Sequence, residues 1–134
     1  MVKITVVSGN ASTDLAKRLA RKLQSPYIKT EKKVFPDGES KITINQIQKK
    51  SIVVVVQSTY PPVDSNLLEL LSIVSKVQKF SSKVYAVIPY MGYARQDREF
   101  LGGEIVTIGV VGKLLRAAGV KKVLTVDIHS KIAL

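Results

Sequence analysis

The chain contains no cysteine, so it offers neither a disulfide framework nor a thiolate metal site, and it is compatible with a reducing compartment. His129 is its only histidine, and no serine or cysteine nucleophile with a histidine partner is evident. Gly-x-x-x-x-Gly-Lys-Ser/Thr and Gly-x-Gly-x-x-Gly are both missing, which removes the P-loop and the dinucleotide fingerprint. No apolar run approaches a bilayer-spanning length, and the start, Lys3 to Val7, reads as a short strand and not as a leader. A cytoplasmic protein without a membrane partner is therefore expected. Acidic residues are scarce, 10 against 21 Lys plus Arg, giving a net charge of +11. That excess biases the protein towards polyanions such as nucleotides, nucleic acid or phosphorylated sugars. The cations are scattered, however, and solvated faces of helices and loops are the plain account of most of them. Without a basic tail or a basic stripe with interleaved aromatics, nucleic acid is not an expected partner.

What is present has the rhythm of one domain. At 134 residues the chain is long enough to bury a single core without staples, and it has no internal repeat or low-complexity segment. Short β-branched runs alternate with amphipathic stretches, the pattern of βαβ units and a largely parallel sheet flanked by helices. Ile4 to Val7 reads as a strand. A helix follows, capped from Ser12, Thr13 or Asp14, with Leu15, Leu19, Ala20 and Leu23 on its apolar face. Tyr27 to Phe35 and Glu39 to Ile44 flank Pro36-Asp37-Gly38 and suggest a β-hairpin, with Ile42 and Ile44 on one face. Ile52 to Val56 is apolar on both faces, as a central parallel strand should be. Pro61 and Pro62 precede a helix from about Asp64 to Phe80, with Leu67, Leu70, Leu71, Val74 and Val77 inward. Lys83 to Pro89 is a strand. Ile105 to Ala118 reads as a helix with Ile108, Val111, Leu114 and Leu115 inward, stopped by Gly119, and Lys122 to Val126 is a last strand.

The chemistry concentrates after the strands. Val87 to Arg98 empties an apolar strand into aromatic, amide and guanidinium groups, and ligands of open α/β sheets sit beyond the carboxyl ends of their strands. The loop from Tyr90 to Glu104 carries Gly92, Gly102 and Gly103 and so can move and close. Arg95 can grip phosphate oxygens bidentately or pair locally with Asp97 or Glu99. Phe35, Asp37 and Glu39 surround a turn, where a ring can stack on adenine and carboxylates can accept hydrogen bonds, although Pro-Asp-Gly is also ordinary hairpin punctuation. Asp127 and His129 are two apart at a strand end and can point the same way. They read either as a divalent ion site or, because Mg²⁺ prefers oxygen ligands, with His129 as a satisfied, structural histidine. Ser8-Gly9-Asn10 reads equally as an anion-binding turn or a helix cap.

Several of these pieces, in order, resemble the amino-terminal half of ribose-phosphate pyrophosphokinases: Ser8-Gly9-Asn10-Ala11, Phe35-Pro36-Asp37-Gly38-Glu39, Gln57-Ser58-Thr59, Asn66-Leu67-Leu68-Glu69-Leu70, Val87 to Asp97, and Thr125-Val126-Asp127-Ile128-His129. The resemblance spans nearly the whole chain. It implies a phosphoribosyltransferase-like α/β domain, 1–134, with an inserted β-hairpin. The family's second domain, which binds ribose 5-phosphate, is absent from this sequence, so the resemblance implies an enzyme of which this chain alone is an incomplete and inactive part. It further implies ATP contacts from Arg95 and Gln96, and from Phe35, Asp37, Gly38 and Glu39 reaching into a neighbouring copy's site, hence a homo-oligomer. It implies Mg²⁺ as cofactor with His129 as its contact, and no catalytic group in this half. Ile128 is a mild departure from the family's Val-Asp-Leu-His, and Ser130 to Leu134 replace its glutamine and Gly-Phe-Phe stretch. The implied reaction is transfer of the diphosphoryl group of ATP to ribose 5-phosphate, giving phosphoribosyl pyrophosphate and AMP. A non-catalytic regulatory or assembly module of the same family is the alternative. A basic nucleic-acid binder is a third reading, motivated by charge alone.

Overall fold

A computed structural model describes residues 2–45, 47 and 49–129, with Asp127 described by its backbone alone. Among these residues seven strands and three helices follow one another as β1 (Ile4–Ser8), α1 (Thr13–Leu23), β2 (Tyr27–Lys29), β3 (Glu31–Val34), β4 (Ser40–Thr43), β5 (Ile52–Val56), α2 (Val63–Val77), β6 (Lys83–Tyr90), α3 (Thr107–Ala118) and β7 (Lys122–Asp127). Five strands form one parallel sheet in the order β2-β1-β5-β6-β7, and β3 and β4 form a separate antiparallel ribbon. The strand order reverses between β1 and β5, which is the switch point where ligands of open α/β sheets usually sit.

Alternation along the central strands sends side chains to both faces. Val7, Val53, Val55, Val84, Ala86 and Ile88 meet α2 and α3, in a core with Leu70, Ile73, Val74, Val111 and Leu115. Val6 and Val56 meet Ala16 and Ala20 of α1 on the other face. Each fully buried valine is worth about 1.5–3 kcal/mol over an exposed one. β7 is an edge strand, and Val126 on it is 83% exposed.

The sheet, the helices and Ile52–Val56 agree with the sequence reading; four details differ. The run from Tyr27 to Phe35 is divided between two sheets, because Thr30 donates its N–H and its hydroxyl to the Ser8 carbonyl, both at 3.0 Å. That anchor leaves β2 beside β1 and releases β3 into the ribbon. On α1 the buried residues are Ala16 and Ala20, while Leu15 and Leu23 are exposed, since small side chains let the helix lie close on the sheet. α3 begins at Thr107, leaving Ile105 in the loop, and Leu114 is 44% exposed instead of inward. The apolar stripe of this helix is wide, and only Val111 and Leu115 of it are buried. α2 ends at Val77 and buries the polar Asn66 and Glu69 besides its apolar residues.

Candidate functional site

At the switch point the strand ends are plugged by the chain's own side chains. Gln57 is fully buried against Gly9, where a Cβ would come within 2.2 Å of its Oε1. That oxygen accepts from the Ala11 N–H at 3.0 Å. Glu69 is 1% exposed, and its Oε1 accepts from the backbone N–H and the Nδ2 of Asn10 at 2.8 and 2.7 Å. Ser12 does not cap its helix through its side chain; its Oγ accepts from the Ser58 N–H at 2.9 Å. The N–H groups of Gly9, Asn10 and Ala11 are thus used internally, Gly9's on the Val56 carbonyl at 3.2 Å. This turn is a structural joint and not an anion nest.

The open site lies further along the same edge. A cavity of about 760 Å³ is lined by Pro62 and the first residues of α2, Val63, Asp64 and Ser65, by Tyr90 at the end of β6 and Met91 to Gln96 after it, and by His129 after β7. Gly92 makes the wall possible: its N–H donates to Thr59 Oγ1 at 2.7 Å, and a Cβ there would stand 2.7 Å from Val63 Cγ1. The next residue, Tyr93, takes φ 66°, a left-handed conformation uncommon for a ring-bearing residue and typical of site loops. Its hydroxyl donates to Asp64 Oδ1. That bond, first, and then burial and repulsion from the carboxylate raise the Tyr93 pKa above the ordinary tyrosine value.

Arg95 and Gln96 also line a second cavity of about 600 Å³, with Arg98, Phe100, Gly103, Glu104, Ile105 and Thr107. The two residues therefore form a ridge between the hollows. Arg95 is exposed, while Asp97 is buried and faces Arg98 at 3.5 Å. The Arg98 guanidinium also lies 5.2 Å from the centre of the Phe100 ring. Gln96 Oε1 accepts from the Thr107 hydroxyl at 3.3 Å, and the loop closes on itself where the Gly103 N–H donates to Glu99 Oε1 at 2.7 Å.

Arg95, Gln96 and His129 are thus brought to one cavity. Phe35, Asp37, Gly38 and Glu39 are not; they form the exposed tip of the β3–β4 ribbon. There Asp37 Oδ1 accepts from the Glu39 N–H at 3.0 Å, and Phe35 exchanges hydrogen bonds with Gly38 and Glu39. The expected common direction of Asp127 and His129 falls outside the description, since only the backbone of Asp127 belongs to it. Sequence reasoning gave no role of their own to Tyr93 and Arg98, which lie in the run it singled out, nor to Asp64 and Phe100. Arg98 and Phe100, an aromatic two residues from a cation, were the legible signal.

Among the described residues no group of three His, Asp or Glu could hold a metal ion. The cavity wall does carry one imidazole, His129, and one carboxylate, Asp64. Mg²⁺ bound with a polyphosphate draws most of its ligands from phosphate and water and needs only one or two from protein, so this donor set fits an ion that arrives with its nucleotide. Also among the described residues, no helix is long and apolar enough to cross a membrane.

Residues 4–119 match a family model described as the N-terminal domain of ribose phosphate pyrophosphokinase. Ribose-phosphate pyrophosphokinases of Clostridium perfringens and Methanobrevibacter smithii are 41% and 40% identical to this chain over 128 and 131 residues. Those alignments cover 95% and 96% of this chain but 40% and 43% of the relatives. A crystal structure of phosphoribosylpyrophosphate synthetase from Mycobacterium smegmatis superposes with a TM-score of 0.89 at 26% identity, covering 98% of this chain and 44% of that one. The chain spans about two-fifths of the length of the curated relatives it matches.

Proposed function

The chain belongs to the ribose-phosphate pyrophosphokinase family through the N-terminal domain of those enzymes, and from that premise we propose that it forms the half that binds ATP and its Mg²⁺. The complete enzyme would transfer the diphosphoryl group of ATP to the anomeric hydroxyl of ribose 5-phosphate, releasing AMP. The observation that carries this reading is the cavity on which Arg95, Gln96 and His129 converge at the carboxyl ends of β6 and β7.

Transfer of a phosphoryl group asks a protein mainly for positioning and for neutralisation of negative charge. The residues here suit that task. Arg95 is exposed on the ridge between two hollows, where its planar fork can take two phosphate oxygens at once. Gln96, steadied by Thr107, offers an amide that can both donate and accept. Phe100 supplies an aromatic face beside the Arg98 guanidinium. Mg²⁺, when bound, would neutralise polyphosphate charge, with His129 as its protein contact. No side chain of the cavity is needed as a nucleophile, and the ribose 5-phosphate site is assigned to polypeptide outside this chain.

The exposed ribbon tip supports a second element of the proposal. Phe35, Asp37 and Glu39 stand away from the cavity of their own chain, so their use on adenine requires a second copy, and the working unit is a homo-oligomer. Titration of ATP into the chain with and without Mg²⁺, followed by calorimetry, tests the reading. Saturable binding strengthened by the ion supports it, and no heat of binding at millimolar ATP would sink it.

A further inference from the structure

The ribbon that carries the tip is held by a buried charge. Lys32 on β3 lies directly across from Ile42 on β4, so their side chains leave the ribbon on the same face. That face is turned to α2. Ile42 packs against the main core, which contains Ile73. Lys32 Nζ donates to Ser65 Oγ at 2.9 Å and lies 3.3 Å from Glu69 Oε2. Ser65, Glu69 and Ile73 are spaced by four and form one stripe of the helix. The other Glu69 oxygen takes both donors of Asn10, so a single ammonium joins the ribbon to α2 and to the loop after β1. Ser65 also lines the open cavity, which brings this clamp to the wall of the proposed site.

An isolated two-stranded ribbon has little stability of its own, and every residue from Val34 to Lys41 is exposed. Its direction is therefore set where it is attached. We propose that Lys32 is a positioning residue: by bridging Ser65 and Glu69 it fixes the ribbon against the cavity wall, so that Phe35, Asp37 and Glu39 meet a second copy in one orientation. The use of that orientation rests on the nucleotide reading above; the clamp itself does not.

Amide hydrogen exchange on the whole chain, without nucleotide, tests the clamp independently of ATP binding. In Lys32→Met the amides of β3 and β4 should exchange about tenfold or more faster, through local opening of the ribbon, while those of β5 and β6 keep wild-type rates. Lys32→Arg, which retains charge and reach, should restore slow exchange. Unchanged ribbon exchange in Lys32→Met, parallel acceleration of ribbon and central strands, or a Lys32→Arg ribbon as fast as that of Lys32→Met each overturns the proposal. Should Lys32→Met leave Glu69 unpaired and fail to fold, Lys32→Met combined with Glu69→Gln replaces it. There too the ribbon must exchange faster with the central strands protected, and wild-type ribbon rates contradict the assignment.

Discussion

One sheet edge carries two polar regions with opposite fates. At the carboxyl ends of β1 and β5 the polar side chains are buried and spent on each other: Gln57 on Ala11, Glu69 on Asn10 and Lys32, Ser12 on Ser58. At the ends of β6 and β7 they border open space, with Arg95, Gln96 and His129 on a cavity of about 760 Å³. Ligands of open α/β sheets usually enter at the switch point, and here that crevice is filled from within. The contrast teaches that polar character alone does not mark a site. A buried polar group with its partners in the same chain is a joint, because breaking it costs desolvation; a cation facing a hollow is available to a ligand.

The comparison breaks most visibly at Glu69. Glu69→Ala strands the Lys32 ammonium and both Asn10 donors and should cost about 3–5 kcal/mol, read as a lower urea midpoint; a loss below about 1 kcal/mol would mean the plugged edge is not held by its polar pairs. Gly9→Ala comes next. Its Cβ meets the buried Gln57 amide, and overpacking of this kind costs about 1–3 kcal/mol, so a melting temperature equal to wild type would show that Gln57 yields freely. On the open side, His129→Ala should leave folding within about 0.5 kcal/mol, as surface changes do, and abolish the Mg²⁺ dependence of ATP affinity. Calorimetry showing that dependence intact would remove His129 from the site.

The smallest effect is expected at Tyr93. Its pKa is raised in the folded chain, so the bond to Asp64 contributes fully below the ordinary tyrosine pKa of about 10 and is lost as pH climbs through the raised value. Tyr93→Phe should therefore lower the urea midpoint slightly at neutral pH, with the gap to wild type closing in alkali. A gap that persists in strong alkali would assign the effect to packing instead.

These two regions also divide what was legible in the sequence. Ile52–Val56, read as a central strand, has those bounds in the structure, because five consecutive β-branched residues suit only a position apolar on both faces. That Arg95, Gln96 and His129 come near one another was legible too: the first two lie in the loop a few residues past the apolar strand β6, and His129 lies two residues past β7. The plugged edge was not, since Glu69 and Asn10 are 59 residues apart in sequence and Gln57 and Ala11 are 46, so no local pattern announces either pair. For the same reason the bond between Tyr93 and Asp64 was missed. Leu15, Leu23 and Leu114 were misplaced because helical spacing reports which residues are apolar, whereas burial depends on how closely each helix approaches the sheet.

Comparing ATP affinity in wild type and Arg95→Ala, with urea unfolding of both as control, tests the central claim most directly. Loss of a charge-assisted contact of about 1.5–3 kcal/mol predicts roughly 10- to 100-fold weaker binding by the variant at unchanged stability. Equal affinity in the two proteins would place the nucleotide elsewhere and contradict the account of the open edge.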